Sequence, residues 1–217
     1  MSTDRAAAAA ELRLLADQAA VCTACVLCQS RTQAVFSRGS SDAAVMVVGE
    51  APGYHEDQQG LPFVGAAGKL LDSLLEEIGL DCDQDVYIAN TLKCRPPGNR
   101  DPLPAETEAC KGFLRRQLVL VDPRVVVTVG NFATKLLLKT ETGISRLRGQ
   151  AYPWWHRWLV PTFHPSAALR GGDRVLDAMR QDLGLVAELL RRAEMSALEP
   201  DPAPASEMES VQLGLFG

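Results

Sequence analysis

The segment His164-Pro165-Ser166-Ala167-Ala168-Leu169-Arg170 follows a strongly apolar run. A histidine in such a loop can donate a hydrogen bond or move a proton near neutral pH. An isolated histidine after a strand is more often structural. This one comes with a rigid proline, a hydroxyl, an apolar tip and an arginine. A second loop, Asn90-Thr91-Leu92-Lys93-Cys94-Arg95-Pro96-Pro97-Gly98-Asn99-Arg100, holds an asparagine with both a donor and an acceptor, the pair needed to read the edge of a nucleobase. Arg95 and Arg100 there suit phosphate contacts or simple solvation. Gly49-Glu50-Ala51-Pro52-Gly53 reads as a turn that lets backbone approach a ligand with one carboxylate beside it. Leu61-Pro62-Phe63-Val64-Gly65 offers a phenyl ring in a Gly/Pro-bounded loop, either core or a stacking platform for a base.

Six cysteines form a further chemical set. Cys22 and Cys25 are a C-x2-C pair, while Cys94 and Cys110 lie far along the chain. Two close ligands and two remote ones can complete a tetrathiolate site. The spacing admits zinc, an iron–sulfur cluster or buried free thiols. Cys28 extends the first pair, but Thr32 stands where a ferredoxin-like run would continue with cysteine.

These loops need elements to hold them. Four short apolar, β-branched runs are expected as strands: Ala44–Val48, Val86–Ala89, Val125–Val129 and Trp158–Phe163. Helical patterns cover residues 5–21, Ala66–Ile78, Pro104–Val121, Phe132–Lys139 and about Asp173–Glu194. Gly79 suits a helix end, and Pro104 a helix start. Alternating strands and helices predict an α/β fold: three layers, α/β/α, around a central four-stranded parallel sheet. Ligand chemistry in such sheets gathers beyond the carboxyl ends of the strands, where all the loops above fall.

Hydrophobic residues make up 47% of the 217, as for a globular chain. No apolar run approaches the roughly 18 residues of a membrane span. The N-terminus lacks a signal-peptide layout, which predicts a cytoplasmic setting with reduced thiols. The net charge of −5 does not itself favour nucleic acid, but residues 195–217 hold four acids and no Lys or Arg. The remainder has 23 acids against 22 bases, a balance compatible with a local basic face. The expected division is a domain over 1–194 and a disordered, acidic, Pro-rich tail over 195–217.

The ordered series GEAPG, LPFVG, NTLKCRPPGNR and HPSAALR, with Cys22-x2-Cys25 ahead and Cys94 and Cys110 in place, resembles the family 4 uracil-DNA glycosylases from about Leu12 to Leu190. Cys28, Cys82 and the tail depart from that pattern. A covalent-trapping relative has a histidine near the second loop; CRPPGNRDPLP has none.

The resemblance implies the uracil-DNA glycosylase fold, a DNA-repair activity on uracil in single- or double-stranded DNA, and a monomer associated with the nucleoid. It also implies a 4Fe–4S cluster on Cys22, Cys25, Cys94 and Cys110. Phe63 would stack on the flipped base, beside Gly49 and Ala51. Asn90 would read its edge, and His164 would donate to uracil O2. Glu50 would exclude the thymine methyl or orient water, and Glu56 is an equal candidate for the carboxylate near the sugar. Ala168 or Leu169 would fill the emptied stack, and Arg95, Arg100, Ser166 and Arg170 would meet the DNA backbone. Alternatives from other classes are an iron–sulfur electron-transfer protein and a non-catalytic DNA-binding module with structural zinc. At the C-terminus, Gln212, Leu213, Leu215 and Phe216 resemble a bacterial sliding-clamp-binding peptide.

Overall fold

A computed structural model describes residues 3–196, with side chains from 5 to 192. The expected tail and its four clamp-binding residues lie outside the described residues. Strand β1 is Arg38–Gly39, β2 Val45–Gly49, β3 Val86–Asn90, β4 Val125–Val129, β5 Tyr152–Trp154 and β6 Arg157–Thr162. They form one sheet of order β1-β3-β2-β4-β6-β5. The four central strands are parallel, and the two edge strands pair antiparallel to β3 and β6. The expected four-stranded core is therefore present, with two short edge strands added.

The central runs are apolar throughout because both sheet faces are covered. Successive residues of a strand point to opposite faces. Met46, Val48, Tyr87, Ala89, Val126 and Leu159 enter one core cluster with Leu12, Leu114 and Leu118. Val45, Val47, Val86, Ile88, Val125, Val127 and Val160 enter another with Leu71, Leu75, Met179 and Leu183. The first face carries α1 (Thr3–Ala20), α4 (Pro104–Val121) and α5 (Asn131–Leu138); the second carries α3 (Ala66–Glu77), α7 (Pro165–Gly171) and α8 (Asp173–Ser196). The result is the expected α/β/α sandwich. Pro161 is tolerated in β6 because the pairing with β5 ends at Leu159.

Parallel register places the strand ends Gly49, Asn90, Val129 and Thr162 along one edge. Two short helices decorate that edge. One, α2 (Tyr54–Gln59), follows the GEAPG turn, and α7 begins directly after His164. The HPSAALR segment is thus a helix with His164 as its N-cap, rather than the expected loop. Asp182, fully buried on α8, braces this end. Its carboxylate accepts from Arg148, which follows the short helix α6 (Ile144–Leu147), from the Gly149 N–H and from Thr162 Oγ1, the last at 2.7 Å.

Candidate active site

A cleft opens along the carboxyl edge of the sheet. Glu50, Ala51, Glu56, Phe63, Asn90 and His164 all line it. Gly49 lies buried behind Asn90 and Phe63: a Cβ there would collide with Asn90 Oδ1 and approach Phe63 Cζ to 2.6 Å. Phe63 adopts a left-handed backbone conformation, with φ of 56°. A Cβ at Gly68 would strike the Phe63 carbonyl, so α3 packs directly on this residue. The Phe63 and His164 rings lie 5.9 Å apart and 29° from parallel.

Asn90 is buried at the end of β3, and its Oδ1 has no hydrogen-bond partner. A buried acceptor left without a donor is costly unless a ligand supplies one. His164 Nδ1 accepts from the Ser166 backbone N–H at 3.2 Å and lies 2.8 Å from Ser166 Oγ. An Nδ1 that accepts a backbone N–H places the imidazole proton on Nε2. Burial holds the His164 pKa below the ordinary value, and the Arg170 charge acts in the same direction while Glu56 opposes it. With Nδ1 accepting, the ring presents Nε2–H as its donor, and burial disfavours its charged form.

The two candidate carboxylates differ. Glu56 Oε1 accepts from the Val64 N–H at 3.0 Å and the Gly65 N–H at 3.1 Å. Its Oε2 accepts from the Gly53 N–H at 3.1 Å. Glu56 thus clips the GEAPG turn to the LPFVG loop. Glu50 makes no side-chain hydrogen bond or ion pair among the described residues, and it faces the cleft half-buried. Burial raises its carboxyl pKa, and the Asp101 carboxylate adds to the rise.

The residues expected to meet DNA are scattered around the rim. Arg170 is exposed and lines the cleft. Arg100 also lines it, but its guanidinium forks onto buried Glu106, at 2.9 and 2.5 Å. Arg95 donates to Asn99 Oδ1 and stacks over the exposed Tyr54 ring at 5.2 Å. Leu169 is 54% exposed. Ala168 is a correction. It is buried in the second core cluster, so it has no means of entering a base stack. Ser166 spends its polar atoms on His164. Asp101, Phe132 and Lys135 line the cleft without having been singled out from sequence. Phe132 lies in the first turn of α5 and Lys135 in its last; the expected helix Phe132–Lys139 contained both without marking either as a site residue.

Next to the cleft, Cys22, Cys25, Cys94 and Cys110 border one small hollow with Ala19, Ala109 and Phe113. Ala51 of the GEAPG turn packs against the same cluster of Cys25, Leu27, Leu92, Cys94 and Cys110. Cys28 also borders the hollow, whereas Cys82 lies near Asp72, its thiol pushed up to about 12 by burial. Burial pushes the Cys110 thiol up to about 11 and raises that of Cys94. A metal that binds these thiols has to displace their protons. Soft donors in apolar walls suit a thiophilic metal group. Among the described residues, no three His, Cys, Asp or Glu side chains close around a single ion.

Lys93 lies between hollow and cleft. It is 1% exposed, and its Nζ donates to the Asn90 carbonyl at 2.7 Å and to Gln117 Oε1 at 2.6 Å. Burial pushes its pKa down to about 8, opposed by the charges of Cys110 and Cys94.

The sequence profile of the uracil DNA glycosylase superfamily matches residues 36–184. The type-4 uracil-DNA glycosylase of Sulfurisphaera tokodaii is 44% identical over 167 residues, covering 73% of this chain and 76% of the relative. That of Saccharolobus solfataricus is 44% identical over 166 residues, with coverages of 73% and 77%. That of Thermotoga maritima is 42% identical over 167 residues, with coverages of 76% and 86%. The profile spans the strand ends that carry Glu50, Asn90 and His164, and with relatives at 42–44% identity over about three quarters of the chain, the chain belongs to the type-4 uracil-DNA glycosylases.

Proposed function

We propose that the cleft hydrolyses the N-glycosidic bond of deoxyuridine in DNA, releasing uracil and leaving an abasic site. The observation that carries this reading is the buried, unpartnered Asn90 Oδ1 beside Phe63 and the Nε2–H of His164. Uracil presents an N3–H donor to that oxygen and an O4 acceptor to the Asn90 amide. Cytosine inverts both and leaves Asn90 facing like groups. The base must leave the stack to reach this depth, at a cost of a few kcal/mol that is smallest for mispaired or single-stranded uracil. Phe63 stacks on the extruded ring, with Gly49 behind Phe63 and Ala51 lining the cleft.

Cleavage leaves negative charge on uracil and positive charge on the sugar. The His164 donor meets the first at O2, in a site held rigid before substrate arrives. Glu50 meets the second and orients water, because its carboxylate is free in the cleft. Glu56 is engaged by three backbone N–H groups and acts as a positioning residue. Arg170 and Arg95 contact phosphates, Leu169 fills the vacated stack, and Arg100 shapes the rim through Glu106.

Cys22, Cys25, Cys94 and Cys110 would hold a 4Fe–4S cluster, which cross-links their segments beside the GEAPG turn. Thiols from three separate segments that border one hollow without closing on a point favour a cluster over a lone zinc, whose sulfurs all sit at about 2.3 Å. The proposed setting is the nucleoid of a cytoplasm. Docking of Gln212, Leu213, Leu215 and Phe216 on a sliding clamp would raise local concentration at replication sites, a proposal that rests on sequence alone. The deciding experiment is uracil release from single-stranded and U:G duplex oligonucleotides, with thymine and cytosine controls. Absence of uracil release from both substrates would overturn the reading.

A further inference from the structure

The chemistry above leaves the buried cation Lys93 without a role. A buried charge is costly unless a counter-charge and hydrogen bonds offset it. Both Nζ partners, the Asn90 carbonyl and Gln117 Oε1, are neutral oxygens. Among the described residues no carboxylate pairs with Lys93. Gln117 is itself fixed, donating to the Phe36 carbonyl at 3.1 Å and the Tyr87 hydroxyl at 3.0 Å. The Phe36 ring lies 5.5 Å from Nζ.

Lys93 adjoins the cysteine set on its other side. Cys94 is the next residue, and Cys110 Sγ accepts from the Lys93 backbone N–H at 3.3 Å. Lys93 also borders the cysteine-lined hollow itself. Arg31 borders it too and donates to Cys94 Sγ at 3.1 Å. Two cations therefore attend one thiol set, and only Lys93 is sealed from water and tied to the substrate cleft.

We propose that Lys93 is the buried counter-ion of the iron–sulfur cluster, and that the same ammonium, by holding the Asn90 carbonyl, positions the uracil-reading end of β3. The inference rests on the cluster reading above. Loss of a nearby positive charge disfavours adding an electron to the cluster, so its reduction potential must fall. Loss of the bond to Asn90 loosens the base-reading amide and weakens uracil recognition. Lys93 is a positioning residue, since it touches no reacting atom.

The test uses full-length chain purified without oxygen: wild type, Lys93→Met and Lys93→Gln. Methionine removes both charge and donor; glutamine removes the charge and keeps an amide donor. Iron and sulfide per chain, redox titration followed by electron paramagnetic resonance, thermal unfolding and single-turnover uracil release are read on each. Both variants should show a more negative potential than wild type, or lose iron while remaining folded. Lys93→Met should raise the enzyme concentration for half-maximal uracil release more than tenfold, with a smaller change in the maximal rate. Lys93→Gln should recover part of that loss. Wild-type potential in both folded variants overturns the counter-ion role, and wild-type half-saturation in Lys93→Met overturns the positioning role. If Lys93→Met does not fold, Lys93→Gln decides; failure of both to fold assigns Lys93 to packing and overturns the proposal. Wild type without iron defeats the cluster reading, and the inference with it, while leaving the uracil assay to stand by itself.

Discussion

Replacing Glu56 and Glu50 separately distinguishes the carboxylate that builds the site from the one that works in it. Glu56→Ala removes the acceptor of the Gly53, Val64 and Gly65 N–H groups, at 3.0–3.1 Å. Hydrogen bonds to a charged group contribute about 1.5–3 kcal/mol each, and water entering a half-buried site recovers part of that. A net loss of about 3 kcal/mol is expected, or roughly 6–12 °C in Tm for a domain of this size. Glu50→Gln removes a desolvated carboxylate with no side-chain partner, so Tm should hold or rise slightly. Its single-turnover rate should fall at least ~100-fold, about 2.7 kcal/mol in barrier. Thermal unfolding and quenched-flow uracil release at saturating enzyme, below the Tm of both variants, give the two readouts. A Glu56→Ala chain as stable as wild type, or a Glu50→Gln enzyme with wild-type rate, would refute the division of labour.

His164→Ala should lower Tm by a few degrees, through loss of the α7 cap worth about 1 kcal/mol, and slow base release at least ~30-fold, about 2 kcal/mol, the scale of one charge-stabilising donor; wild-type rate would remove His164 from the site. Because the Glu50 pKa is raised, its carboxylate is lost at higher pH than an ordinary glutamate's: the acid limb of the rate profile should lie above about 4.3 and move down in Asp101→Asn, and an unmoved limb counts against the pair. Cys94→Ala should lose iron and solubility together, whereas Cys82→Ala should keep both, as iron analysis after gel filtration will show. Ending the chain at Ala205 should abolish binding to the clamp of the same bacterium without changing uracil release from naked DNA; equal clamp binding by both lengths, or by neither, removes that claim.

The four central strands could be read because burial on both faces made each a continuous apolar run. Edge strands β1 and β5 could not, being two and three residues long, with Pro153 inside β5. The HPSAALR segment looked like a loop because Pro165 and the Gly171-Gly172 pair break patterns. In the fold Pro165 is the first residue of α7 and His164 caps it. That difference explains the Ala168 error: on a loop residues 168 and 169 are equivalent, but on a helix one faces α3 and α8 and the other faces solvent. Composition likewise made Glu50 and Glu56 equal. Only the path of the backbone shows three N–H groups converging on Glu56. Lys93 looked like one more basic loop residue, since burial of a lysine leaves no mark on a single sequence.

The packing around Phe63 bears on how readily this pocket can be redesigned. Two positions outside any catalytic role, 49 and 68, have no room for even a methyl group, one against Asn90 and Phe63 and the other against the Phe63 backbone. A side chain at 49 would displace the Phe63 ring and the Asn90 amide together, and one at 68 would displace the Phe63 backbone. Asp101, Phe132 and Lys135 line the cleft away from these two glycine contacts, and under the proposed function they are where a changed base would be accommodated. On the proposed reading, packing closed to a methyl group at 49 and 68 would leave changes of substrate range to the side chains that line the rest of the cleft.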